Sequence, residues 1–260
     1  MMRSIVTIVL FLNLNFPLMS QTGNIQVLCD PETGLCEIPE LSSNSNYAID
    51  WKTDEEIIYI GDPMCSWCWG ISPQLNALKR YGQQEGIPFS IVMGGLHPGG
   101  GDEWNSGFKS FLKHHWEEVN KRSGQPFGFD LFKLENFDYD TEPACRAVVT
   151  IRTMAPQKVL SFYELVQHSF YVESKDPKQL EFYQTICQKL GIDYADFSQQ
   201  FSSEEMKDAT QKDFSQNRQW GVSGFPSVIY RKKDQLYFIS RGYSDYESMK
   251  QALEAIAKKN

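Results

Sequence analysis

The amino-acid sequence predicts an α/β fold interrupted by an inserted block of helices. Three observations predict it. Short β-branched or aromatic runs, Ile57-Ile58-Tyr59-Ile60 and Pro88 to Met93, lie toward the start, and two more, Gly224 to Tyr230 and Gln235 to Ile239, lie toward the end. Between them, from about Asp102 to Arg218, apolar residues recur at helical spacing. The first run leads straight into Asp62-Pro63-Met64-Cys65-Ser66-Trp67-Cys68-Trp69-Gly70, followed by Ile71, Leu75, Leu78 and Tyr81 at helical spacing. That is a strand, a tight turn and a helix opened by two cysteines two residues apart.

Residues 1–20 read as a signal peptide cleaved near Ser20. Arg3 precedes a largely apolar run, Ile5 to Met19, that Asn13, Asn15 and Pro17 interrupt. The run is short for a membrane span, although an uncleaved anchor is the alternative. A periplasmic or secreted location follows, where disulfides persist. Residues 21–52 are polar and turn-rich and read as an extension. Within them Cys29 and Cys36 flank a Pro-Glu-Thr-Gly turn signal. A structural disulfide between them is expected; an accessory redox pair, a metal site or free thiols are the other readings.

Cys65 and Cys68 carry the chemistry. A helix N-terminus presents free N–H groups and a positive dipole end, so Cys65 is expected to ionise more easily than a free thiol. A thiolate beside a second sulfur can attack a disulfide and be released by its neighbour. Zinc would need a second ligand pair, and neither CxxC nor HxxxH recurs in the chain. A purely structural disulfide at a helix start staples little distant chain. Redox chemistry is therefore preferred to metal binding, and no cofactor is called for. Asp62 is near enough in sequence to influence proton transfer, or is a solvated loop residue.

Gly94-Gly95-Leu96-His97-Pro98-Gly99-Gly100-Gly101 lacks the Lys-Ser/Thr ending of a phosphate loop and reads as a flexible crossover. The block that follows predicts about five helices with a core of their own. Phe108, Phe111, Leu112 and Val119 share a face, as do Cys145, Val148 and Val149 in a helix starting near Thr141; Val159 to Tyr171 is a further helix. Asp176-Pro177 is expected to open another that Gly191 stops, with Asp193 and Ser202-x-x-Glu205 as caps. Cys145 and Cys187 fall on apolar faces, and a bridge between them is expected, with simple packing as the alternative. His114 and His115 are adjacent on one helix, a poor metal pair, and read as one solvated and one packed. Arg231-Lys232-Lys233-Asp234 is a hairpin loop, and Ser244-x-x-Glu247 caps a last helix carrying Tyr246, Met249, Leu253 and Ile256 inward. The organisation is thus 53–96 with 219–260 as one unit and 97–218 as the insertion.

Composition fits a globular protein, 41% hydrophobic and 22% charged. The 25 basic residues less Arg3 of the leader leave 24 against 33 acidic ones, a net charge of −9. Nucleic acid is excluded as a partner on that ground.

This order of elements, with CxxC after the first strand and Gly224-Phe225-Pro226 before the hairpin, resembles the thioredoxin fold with an inserted α-helical subdomain. It is similar over residues 55 to 258 to the DsbA-type thiol oxidoreductases. Asp62 to Gly70, Gly94-Gly95-Leu96 and Gly221-Val222-Ser223-Gly224-Phe225-Pro226 look like the FrnE branch of that family. The resemblance does not cover the Cys29–Cys36 extension. It implies a protein thiol–disulfide oxidoreductase with Cys65 as exposed nucleophile and Cys68 as the less exposed resolving partner. Ser66 is expected to hydrogen-bond the thiolate and Trp67 to offer an apolar face to an unfolded substrate. Pro226 matches the family's cis-proline, where the backbone of Phe225 pairs with an extended substrate strand. DsbA enzymes commonly hold a histidine between the cysteines; Ser66-Trp67 supplies no cation, which implies a weaker oxidant.

The implied partners are thiol- or disulfide-bearing protein substrates and a membrane redox partner. Oxidase activity is the first expectation. A reductase or isomerase kept reduced by a donor is the second, and a thiol-based metal-binding or chaperone-like protein is the third, from a different class.

Overall fold

The computed structural model describes residues 53–258, together with the backbone of 28–29 and 36–38. The expected leader and the Cys29 and Cys36 side chains, with their expected disulfide, lie outside the described residues. Strands β1 (Leu28–Cys29) and β2 (Cys36–Ile38) pair antiparallel with Cys29 opposite Cys36, and β2 continues onto a later strand. Then follow β3 (Glu55–Gly61), α1 (Ser66–Gly70), α2 (Ser72–Glu85) and β4 (Phe89–Met93). The insertion holds six α-helices among the described residues, one more than the periodicity suggests: α3 (Ser106–Ser123), α4 (Glu142–Met154), α5 (Val159–Tyr171), α6 (Phe182–Leu190), α7 (Tyr194–Phe201) and α8 (Glu204–Gln219). Strands β5 (Ser227–Lys232) and β6 (Gln235–Arg241) and helix α9 (Tyr246–Ala257) close the chain.

The described strands form one sheet in the order β1-β2-β6-β5-β3-β4, with β3–β4 parallel and the other pairs antiparallel. A parallel pair needs a helical crossover, which α1 and α2 supply. Alternation along β3 splits the core. Ile57 and Tyr59 face the helices, whereas Ile58 and Ile60 pack with Trp220, Val222, Ile229, Leu236 and Phe238 on the opposite face. This is a thioredoxin fold carrying an inserted helical subdomain.

The insertion does not keep a core of its own. One continuous buried cluster runs from Ile57 and Tyr59 through Phe162, Tyr163 and Phe170 to Phe197, because α4, α5 and α8 lie directly on the sheet and on α1. They also satisfy the outer backbone of β4, the edge strand. Arg152 Nη1 donates to Ile91 O at 2.8 Å, Asp213 Oδ2 accepts from Met93 N at 2.8 Å, and Asn217 Nδ2 donates to Met93 O at 3.0 Å. Arg152 and Asp213 are joined by two hydrogen bonds of 2.7 and 2.8 Å. A sheet edge that would otherwise expose unpaired groups is thus closed by side chains of α4 and α8.

Several local expectations shift. The caps are Ser203, accepting from Met206 N, and Asp245, accepting from Ser248 N, each one residue after the predicted Ser202 and Ser244. Two cap-competent residues stand side by side at both places, and the one in extended backbone takes the role. Asp176-Pro177 forms a turn, with Gln179 N on Asp176 O, and α6 begins at Phe182. Of the basic run, Lys233 and Asp234 make the hairpin turn, while Arg231 is buried and donates to Thr53 O and Lys233 O. The 94–101 crossover is pinned by hydrogen bonds of Leu96, His97, Gly99 and Gly101 N–H groups to Asp62, Thr141, Asp140 and Asp138. His114 is exposed, and His115 is half-buried with its ring tilted against Phe111 at 4.3 Å, as the adjacent pair predicts.

Candidate active site

The reactive turn is built from Asp62. Its Oδ1 accepts from Met64 N at 2.8 Å, and its main-chain O accepts from Cys65 N at 3.1 Å. Tyr139 donates to Met64 O at 2.7 Å, so the turn's polar groups are paired although all of Asp62 to Cys65 is buried. The residue is therefore no solvated loop residue. Its second oxygen reaches away from the turn, accepting from Leu96 N at 2.7 Å and from the Cys145 thiol at 3.3 Å. One carboxylate ties together the β3–α1 turn, the crossover and α4.

Cys65 is the N-cap of α1, in extended backbone, and its O receives Cys68 N at 2.9 Å and Trp69 N at 3.1 Å. The helix breaks at Ile71 because Pro73 has no N–H for the carbonyl of Trp69. Gln125 Nε2 fills that vacancy at 3.1 Å, while Trp69 Nε1 donates to Pro126 O at 2.9 Å. The loop after α3 thereby holds the CxxC helix at its second turn.

Both active-site sulfurs are present as thiols. Cys65 is 6% exposed and Cys68 0%, so of the two only Cys65 reaches the surface. Its Sγ faces Phe225 O at 3.7 Å. The Phe225-Pro226 bond is cis, and Gly242 N holds the loop through Pro226 O at 2.7 Å. Gly94 makes room for the Phe225 ring, which a Cβ there would meet at 2.4 Å. Trp67 is half-buried, edge-on to Tyr243 at 5.9 Å, and Arg122 lies over Tyr243 at 5.3 Å. Leu96, 45% exposed, projects from the crossover that Asp62 anchors.

Three expectations need correction. The Cys65 thiol is not held low. The adjacent Cys68 thiol and burial push it well above the ordinary thiol range, with the Asp62 carboxylate adding to the rise and the Cys68 N–H opposing it. Ser66 makes no hydrogen bond to either sulfur among the described residues; it opens α1 half-exposed. Cys145 and Cys187 are not bridged. Cys145 is turned to Asp62, and Cys187 lies free and buried near the end of α6. Burial and the Asp62 charge push the Cys145 thiol well up, and burial raises Cys187 to about 11. Asp62 itself is raised by burial, with the Leu96 and Met64 amides opposing.

Sequence reading missed the groups that the fold brings to the CxxC turn from elsewhere in the chain, Tyr59, Tyr139, Gln125 and Tyr163, and took Cys145 only as a bridge candidate. No local pattern marks the first four, since each reads as an ordinary strand, loop or helix residue.

A dithiol at a strand-to-helix turn, with its outer sulfur against the carbonyl before a cis-proline, defines a thiol–disulfide oxidoreductase. The chain belongs to the DSBA-like thioredoxin domain family, which matches residues 57–254. It is similar to the crystal structure of a candidate protein disulfide isomerase from Nitrosomonas europaea, 34% identical with a TM-score of 0.73, over 80% of this chain and 100% of that one. The cytosolic disulfide reductase DsbM from Pseudomonas aeruginosa shares the fold at 22% identity and a TM-score of 0.64, over 79% of this chain and 100% of that one. Among curated proteins, the ClpXP adapter protein SpxH of Shouchella clausii is 24% identical over 207 residues, 78% of this chain. The chain spans 65% of that relative's length.

Proposed function

We propose that this oxidoreductase works on protein substrates outside the cytosol and runs in the reducing or isomerising direction. The observation that carries the direction is the setting of Cys65: buried, beside a second thiol and a carboxylate, with no Lys, Arg or His hydrogen-bonded or ion-paired to either sulfur among the described residues. A thiolate so poorly stabilised makes the internal disulfide the favoured product, hence a weak oxidant and a good reductant.

In that direction Cys65, as thiolate, attacks one sulfur of a substrate disulfide. The substrate S–S bond breaks, a mixed disulfide forms on Cys65, and the other substrate sulfur leaves as thiolate and takes a proton from solvent. Cys68 then loses its proton and attacks Cys65 Sγ. The Cys65–Cys68 bond forms and the substrate departs reduced by two electrons. A dithiol donor must reduce the pair again, which gives the membrane redox partner its role. The Phe225 carbonyl beside Cys65 supports an extended substrate strand at the cis-proline loop.

The oxidase reading stands second, favoured by the leader-like residues 1–20, since an oxidising compartment would hold the pair as a disulfide. Acid quenching of cells, mass-tagging of free thiols and a Cys65→Ser control separate the two. A mostly reduced pair supports the reducing direction; a mostly oxidised pair overturns it in favour of disulfide donation.

A further inference from the structure

The rim of the reactive site carries a cation that the exchange described above does not use. Gly70, the last residue of α1, stands where a Cβ would meet Val119 Cγ1 at 2.7 Å and Ser123 Cβ at 3.5 Å. The end of α3 is thereby drawn against the CxxC helix, and Arg122, the residue before Ser123, comes to the rim. Its guanidinium lies over the Tyr243 ring at 5.3 Å, and that ring meets Trp67, between the two cysteines, at 5.9 Å. Tyr243 follows Gly242, whose N–H holds the cis-proline loop through Pro226 O at 2.7 Å. Contacts thus run without a break from Arg122 through Tyr243 to Trp67 and to the loop where Phe225 O faces Cys65 Sγ at 3.7 Å.

We propose that Arg122 is a specificity-determining residue: it pairs with a carboxylate that the substrate carries within a few residues of its disulfide, so that acidic segments are exchanged in preference to neutral or basic ones. The proposal rests on the reading of Cys65 as the sulfur that attacks protein disulfides. The Arg122 side chain is exposed and makes no hydrogen bond or ion pair among the described residues, so its N–H donors are open to a ligand. Asp245, two residues beyond Tyr243, is no partner for it: that carboxylate caps α9, accepting from Ser248 N at 2.8 Å. Stacking on Tyr243 steadies the guanidinium plane, and a steadied fork can receive both oxygens of a carboxylate. An extended strand advances about 3.3 Å per residue, so about three or four substrate residues cover the two ring contacts between Trp67 and Arg122. The chain as a whole carries a net charge of −8, and its general field favours basic substrates. A preference for acidic ones therefore has to come from a local cation.

The test uses the full chain, dithiothreitol as electron donor, and peptides of two strands joined by one disulfide, a fluorophore on one strand and a quencher on the other. Each turnover reduces the peptide disulfide to two thiols, oxidises the donor to its cyclic disulfide and frees the fluorophore from its quencher. Three peptides differ only in carrying Glu, Gln or Lys at the second and third positions from the cysteine. With the rate of donor alone subtracted, wild type should show kcat/KM about threefold higher for the Glu peptide than for the Gln peptide, mainly through KM, the scale of one exposed charge pair. The Lys peptide should fall below both. Arg122→Gln should bring the Glu and Gln peptides within about 1.5-fold of each other, whereas Lys121→Gln, which removes the same charge from the exposed neighbour, should keep the preference. Salt at about 0.5 M should shrink the wild-type preference. Equal use of the Glu and Gln peptides by wild type, or a preference that survives Arg122→Gln, overturns the proposal. A preference lost in Lys121→Gln overturns it too, since the charge of the region and not the stacked guanidinium would then select the substrate. Failure of the underlying reading is distinct: wild type would accelerate none of the peptides beyond donor alone, and the proposal would fall with it.

Discussion

Replacing Asp62 probes the whole site, because one buried carboxylate holds three elements together. In Asp62→Ala the amides of Met64 and Leu96 lose acceptors at 2.8 and 2.7 Å, and the Cys145 thiol loses one at 3.3 Å. Each buried N–H left unpaired costs about 1–3 kcal/mol. Release of a desolvated charge returns part of that, so a net loss of about 3 kcal/mol is expected. For a domain of this size that lowers Tm by roughly 6–12 °C. Asp62→Asn keeps one oxygen as acceptor and should lose about half as much.

The charge has a separate readout. The Asp62 carboxylate adds to the rise of the Cys65 thiol, so its removal should lower the thiol titration midpoint in Asp62→Asn. The pH dependence follows from the raised carboxyl. The fold prefers its protonated form, so this part of the stability is complete below the unfolded value and is lost as pH rises through the folded one. The advantage of wild type over Asp62→Asn should therefore be larger in acid than at neutral pH. Thermal unfolding and thiolate absorbance, measured on the reduced protein, give both numbers. Asp62→Ala as stable as wild type within about 0.5 kcal/mol would refute the anchoring role. An unmoved thiol in Asp62→Asn would refute the electrostatic one.

Alkylation of Cys65 should climb about tenfold per pH unit from neutrality past pH 9, because its thiol lies above the ordinary range; a plateau below about pH 8.5 in a rate–pH profile would contradict this. Asp213→Ala should cost about 3 kcal/mol in denaturant unfolding, since it strands the Arg152 guanidinium and the Met93 amide, and a loss under about 1 kcal/mol would count against edge closure by the insertion. The β1–β2 register sets Cys29 opposite Cys36, so non-reducing peptide mapping should recover them linked. Alkylation of both without prior reduction would rule that disulfide out.

The sequence by itself determined the elements and the chemistry. β-branched runs, the CxxC at a strand-to-helix turn, and the Gly-Phe-Pro before a hairpin are local patterns, and each stands where it was read, as do α5 from Val159 to Tyr171 and the end of α6 at Gly191. Local patterns reflect backbone preference and side-chain period, which a few neighbouring residues settle. Tertiary structure decided what each of those groups experiences. Cys145 reads as a candidate for a bridge, yet the fold turns it to a carboxylate 83 residues away. Asp62 reads as either a group able to influence proton transfer or a solvated loop acid, and it is wholly buried. The ionisation of Cys65 reads as a helix-end effect, and it follows instead from burial and the neighbours that packing supplies. The shared core of sheet and insertion likewise brings Tyr59 to Tyr163 across 104 residues. Solvation and electrostatic energy depend on everything within a few ångströms, and distance along the chain carries almost none of that information.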